Sequence, residues 1–178
     1  MIAVLAVFAG IVYVNRLAVG SETLTQFMVK FGYSGIFLVS AASGFNILVP
    51  IPVIGFFPLF IEAGFAAPIL IAIISVGMVV GDVFGYVIGN VGKGIVEERK
   101  KQGKIVSRLV EMRDKHKIIP LIILFIYASV VPLPNELIVI PMAFIGYRLR
   151  YMVVALFFGN IIFNILAAFG FLSINSIF

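Results

Sequence analysis

Asp82 and Glu136 are the two carboxylates that this sequence sets inside long apolar stretches, and both invite a chemical reading. Asp82 is the sole charge between Ala63 and Gly92. A carboxylate two-thirds along a membrane helix faces a cavity, a partner or a transport path, or else hydrogen-bonds across the bundle. Tyr86 follows it by one helical turn and Asn90 by another, which predicts a shared polar stripe. Glu136 stands two residues after Pro134, where it either caps its own helix start or acts as a functional carboxylate. Glu62 stands at the end of another apolar segment, as a path residue or an ordinary interfacial anchor. The sequence has no cysteine and one histidine, His116, so thiolate chemistry and a metal-ligand cluster are not expected. No cofactor and no metal are expected, and an intramembrane enzyme is the weakest reading.

These residues need helices to carry them. Of the 178 residues, 62% are hydrophobic and 12% charged, and the mean hydropathy is +1.21, a composition that predicts an integral membrane protein. No charge occurs between Lys30 and Glu62, or after Arg150. Nine of the 13 Lys and Arg fall between Lys93 and Lys117, the signature of a cytoplasmic loop rather than of nucleic-acid binding. The expected elements are a helix over 2–19, a polar link at Ser21, Glu22 and Thr23, a broken apolar segment over 33–61, and a long helix over 65–91. Beyond the basic loop come a second broken segment over 118–145 and a last helix over 151–172.

Both broken segments carry Pro-x-Pro, Pro50 and Pro52 in the first, Pro132 and Pro134 in the second. Proline removes donors and pushes its predecessor out of the helical region, so each segment breaks there. Halves of 12 to 16 residues, roughly 18 to 24 Å, fall short of a ~30 Å hydrocarbon core, which favours re-entrant hairpins. Proline in the first turn of each returning half-helix would direct a positive amino end at the midplane, where it attracts anions. Sliding the chain on itself by 82 residues superposes Val49 on Val131, both prolines, Gly64 on Gly146 and Gly77 on Gly159. The same offset sets Asn164 opposite Asp82, with Asn160 one turn before it, and both are expected to face the hairpins. Arg148 and Arg150 follow the second segment as Lys115 and Lys117 precede it, so both of its ends prefer the cytoplasm, where the two arginines would contact headgroups. The glycines at 77, 81, 85 and 89 predict close helix packing rather than a substrate role.

The fold expected is therefore all-α and polytopic, an inverted repeat with two opposed re-entrant helical hairpins. Residues 1–30 would be an N-terminal transmembrane helix and link; 31–178 would hold repeat 1 (33–91), the cytoplasmic basic loop (92–117) and repeat 2 (118–172).

Phe31-Gly32-Tyr33-Ser34-Gly35, Pro50-Ile51-Pro52 before Ala63-Gly64, the run GDVFGYVIGNVGKG from Gly81, Pro132-Leu133-Pro134 before Gly146, and Gly159-Asn160 occur in an order that resembles the DedA family of the VTT (SNARE-associated) superfamily. That resemblance implies opposed hairpins and lipid translocation, including phospholipid scrambling and undecaprenyl phosphate recycling, with proton-motive force invoked for bacterial members. Where that family often has acidic residues, this chain has Asn46 and Ile54, and it has no arginine between Ile118 and Tyr147. The function expected is a flippase or scramblase, with membrane lipids bearing anionic or phosphate headgroups as partners and a homo-oligomer allowed. The alternatives are an ion or small-molecule transporter of the same architecture and a non-transporting membrane-assembly protein. The expected location is a prokaryotic plasma membrane.

Overall fold

The computed structural model describes residues 10, 22–44, 53–97, 111, 116 and 118–177, and among these every regular element is helical. Helix α1 is Glu22–Gly44; a 3-10 turn, Val53–Phe56, leads into α2 (Phe57–Glu62); α3 is Ala67–Glu97; α4 is Ile119–Val130; α5 is Glu136–Phe144; α6 is Leu149–Ile177. Two of these are long and apolar enough to cross a membrane, Ala67–Gly92 within α3 and Leu149–Gly170 within α6. Their outward rows are apolar and exposed, Val80, Phe84, Val87 and Val91 on one and Val154, Phe158, Ile162 and Leu166 on the other, whereas Ser75, Asp82, Asn160 and Asn164 are buried. An apolar exterior around a few buried polar groups suits a lipid solvent.

α3 and α6 pack antiparallel, Ser75 meeting Asn164 and Asp82 meeting Asn160. α1 lies along α3, and α4 along α6. The shorter elements cross over: α5 packs on α3, while the 3-10 turn and α2 pack on α6. Glycines permit the closest of these approaches. A Cβ at Gly77 would lie 3.0 Å from the Phe37 carbonyl oxygen of α1, and one at Gly159 would lie 3.0 Å from that of Phe125 in α4. On the other side of α3, a Cβ at Gly89 would come within 2.6 Å of the Ile140 oxygen in α5. Residues advance about 100° each along a helix, so from 77 to 89 the glycine row turns by about 120° and serves two different neighbours. The expectation of close packing holds, and the neighbours are α1 and α5.

α2 and α5 end alike. Gly64 (φ 89°) donates to Ile61 and Phe65 to the Phe60 carbonyl; Gly146 (φ 82°) donates to Ala143 and Tyr147 to the Met142 carbonyl. Each pair is a Schellman closure, which needs a left-handed residue. Alanine at either glycine is expected to destabilise the protein by about 1–2 kcal/mol, read as a lower melting midpoint in detergent, while Gly170→Ala, at an open helical position, serves as the neutral control.

Several expectations need correction. Glu22 and Thr23 are helical, not a link, and the chain breaks instead at Gly32 (φ 55°, ψ −154°), inside α1. The returning arms are shorter than 12 residues: α5 has nine, and the 3-10 turn and α2 have four and six. Pro134 precedes the N-cap, Asn135, and so lies outside the first turn of α5. The entry arms do not follow the 82-residue offset, because Phe37 and Phe125 occupy matching contacts at a separation of 88. The first half therefore has six more residues than the second between its entry arm and its Pro-x-Pro. The helix expected over 2–19 and most of the basic loop lie outside the described residues.

Candidate functional site: a buried polar layer between α3 and α6

Along α6, two apolar clusters are parted by polar side chains. One cluster gathers Ile36, Ile54, Phe57, Leu70 and Ile74 with Ala168; the other gathers Leu124, Val139 and Met142 with Met152 and Leu156. Between Leu156 and Ala168 stand Asn160 and Asn164, both fully buried. Asn160 lies about 16 Å along α6 from Leu149, and Asp82 about 15 Å from Gly92, so both sit near the middle of their spans.

The layer has two parts. Asp82 Oδ2 accepts from Asn160 Nδ2 at 3.1 Å and from Asn135 Nδ2 at 3.2 Å, and Asn135 Nδ2 also reaches Asn160 Oδ1 at 3.2 Å. Three elements are tied at one carboxylate: α3, α6 and the amino end of α5. Beside this triad, Asn164 donates to Ser75 Oγ at 2.9 Å and approaches Met78 Sδ at 3.5 Å. Asp82 Oδ1 and Asn164 Oδ1 are buried with no hydrogen-bond partner among the described residues. No Lys, Arg or His occurs between Ala63 and Gly92 or between Ile118 and Tyr147, and among the described residues the Asp82 carboxylate is answered by the amides of Asn160 and Asn135. Hydrogen bonding of this kind is what a polar group requires in a medium of low dielectric constant.

One contact of the first part has a counterpart in the second, with different side chains. Under the 82-residue offset, the contact of Asn160 with Asp82 becomes that of Asn164 with Met78, and Asn135 and Glu136 become Val53 and Ile54. Val53 and Ile54 are buried apolar residues in the 3-10 turn. One half of the layer therefore carries the two acids, Asp82 and Glu136, whereas its counterpart sets Asn164 against Ser75 and Met78 and has no acid at Val53 and Ile54.

Glu136 is 1% exposed, at the first position of α5. A Cβ at Gly85 would meet its Cγ at 2.9 Å, so the missing side chain at 85 is what lets Glu136 lie against α3. Its neighbour Asn135 reaches Asp82, so the two buried acids share the amino end of α5. Asn135, the N-cap, makes no side-chain cap bond; its amide serves Asp82 and Asn160 instead.

Of the residues expected in the path, Asp82, Asn160, Asn164 and Glu136 come together in this layer. Tyr86 does not join it: its hydroxyl donates to the Tyr147 carbonyl at 3.1 Å, beyond the far end of α5, and Asn90 is exposed. The polar stripe fails because α5 fills the space along that face. Glu62 is exposed at the end of α2 and is not one of the residues that meet in the layer. Pro132 is exposed and Pro134 half-buried. Arg148 and Arg150 are exposed at the start of α6. Asn46, Pro50 and Pro52 lie outside the described residues.

Asn135 and Ser75 were missed from sequence. Ser75 is seven residues before Asp82, hence on the same helix face, a spacing that could have found it. Asn135, between Pro134 and Glu136, carries no such signal, because its partner Asp82 is 53 residues away in the chain. Compared with protein-family models, curated proteins and solved structures, the chain gives no match.

Proposed function

We propose that the chain is a lipid translocator, a flippase or scramblase that moves phospholipid or a polyprenyl phosphate between leaflets, in the manner its DedA-like motifs imply. The observation that carries this reading is the polar layer at mid-depth, with the Asp82 carboxylate bound at once by α6 and by the amino end of α5. Polar groups of this kind at membrane depth serve a pathway more often than the stability of a bundle. The proposed architecture is an inverted repeat whose hairpins, α1 with α2 and α4 with α5, enter from opposite faces. Three observations support it: the exchanged packing of the short arms, the matching Schellman closures, and arm lengths of 12 and nine residues, about 18 and 14 Å against a ~30 Å core. The membrane proposed is a prokaryotic plasma membrane, with residues 93–117 in the cytoplasm.

A second reading, a carrier of protons or small cations on the same frame, draws on one feature. The layer offers more acceptors than donors, and Asp82 Oδ1 is left over. A direct experiment separates the two. In vesicles with a quenchable fluorescent phospholipid in both leaflets, a translocator exposes more than the outer-leaflet half to an impermeant quencher. If only that half is quenched while the protein carries a proton or cation current, the second reading replaces the first.

The hairpins have their own test. The chain lacks cysteine, so single cysteines at the exposed positions Ser34, Glu62, His116 and Arg148 can be probed with an impermeant maleimide. Ser34 and Glu62 are expected to label from one side only, and His116 and Arg148 from the other. Labelling of His116 and Arg148 from opposite sides would remove the second hairpin.

A further inference from the structure

On the outward side of α4 and α6 runs an open groove of about 530 Å³ with almost wholly apolar walls. Leu121, Ile122 and Phe125 form one wall, and Tyr151, Ala155 and Phe158 the other. Along α6 the lining extends from Tyr151 to Ile162, about 16 Å, which matches one leaflet of a ~30 Å hydrocarbon core.

The groove is chemically different at its two ends. α4 and α6 lie side by side with their amino ends together, since Leu121 and Ile122 share the groove with Tyr151 while Phe125 and Ala128 meet Gly159 further along. Two positive helix ends therefore flank the mouth, and neither first turn contains an acid. At that mouth Arg150 donates to the Tyr151 hydroxyl at 2.8 Å, which holds its guanidinium beside the groove, and Arg148 is exposed two residues earlier. Basic residues at a helix amino end oppose the dipole, so the fold accumulates positive potential here instead of cancelling it. An interfacial anion is what this potential lacks, and an aliphatic chain is what the groove below it fits.

We propose that the groove is a binding site for one anionic phospholipid, its phosphate held by Arg150 and Arg148 and one acyl chain lying between α4 and α6. The site faces the membrane and is separate from the buried layer, so it rests on the membrane disposition of these helices and not on lipid translocation.

The test uses the full chain in nanodiscs of equal phosphatidylglycerol and phosphatidylcholine, extracted and read by native mass spectrometry. The wild type is expected to retain phosphatidylglycerol preferentially, and the double variant Arg148→Gln, Arg150→Gln to lower that preference about fivefold or more with its melting midpoint unchanged. Ala155→Phe, which fills the groove, is expected to lower retention of both lipids. Inorganic phosphate should not displace the retained lipid. Equal retention of the two lipids by the wild type, a double variant with the wild-type preference, or a dimer interface that covers Phe158 would each overturn the site, whatever the outcome of the translocation assay.

Discussion

Asp82→Asn is expected to leave the helices assembled and to slow lipid movement in vesicles by more than about tenfold, a barrier change above roughly 1.4 kcal/mol. The substitution keeps the shape of the side chain. Its remaining oxygen can still accept from Asn160 and Asn135, which together tie α6 and α5 to α3. What disappears is the ionisable group, and a donor now occupies the position of Oδ1, which has no partner among the described residues. A role limited to holding the bundle would therefore leave transport close to wild type. Normal lipid movement in a folded Asp82→Asn protein would take this carboxylate out of the mechanism.

The second large effect concerns Gly89. A methyl group there would come within 2.6 Å of both the Ile140 carbonyl oxygen and the Ala143 Cβ. Backbone cannot rotate away as a side chain can, so Gly89→Ala is expected to force α5 off α3 and to destabilise the protein by about 1–3 kcal/mol, with valine worse. The readout is the thermal midpoint in detergent. α5 also carries Asn135 and Glu136 at its start, so the same variant should slow transport. An unchanged midpoint in Gly89→Ala would mean that α5 is not held as closely as this contact requires.

Hydropathy alone located α3 and α6, since each is a long apolar run with one interruption or none, and lipid solvation leaves little else for such a run to do. Pro132 and Pro134 located the break between α4 and α5 because a missing donor is a local property of the residue. Gly64 and Gly146 could be paired from sequence for a similar reason: a left-handed backbone selects glycine wherever it occurs. Side-chain partnership is not local, and there the reading fell short. Tyr86 and Asp82 share a face of α3, but α5 lies along that face and gives them different partners, the Tyr147 carbonyl and the Asn135 amide. Asn135 became a partner of Asp82 only because α5 leaves its own half to pack on α3. The 82-residue offset pairs Gly64 with Gly146 and Gly77 with Gly159, and misses the entry arms because an ungapped comparison cannot register six extra residues.

The exchange of short arms between the two long helices also governs how the chain can be made. The 3-10 turn and α2 find their partner in α6, which begins at Leu149, almost a hundred residues after Val53. When the first half emerges from the ribosome, the cluster of Val53, Ile54 and Phe57 still lacks its α6 members, Phe163, Ala167 and Ala168. Contacts of such sequence separation form late. The packing of the 3-10 turn and α2 should therefore stay provisional until α6 is in place, which makes α6 the latch of the described helices.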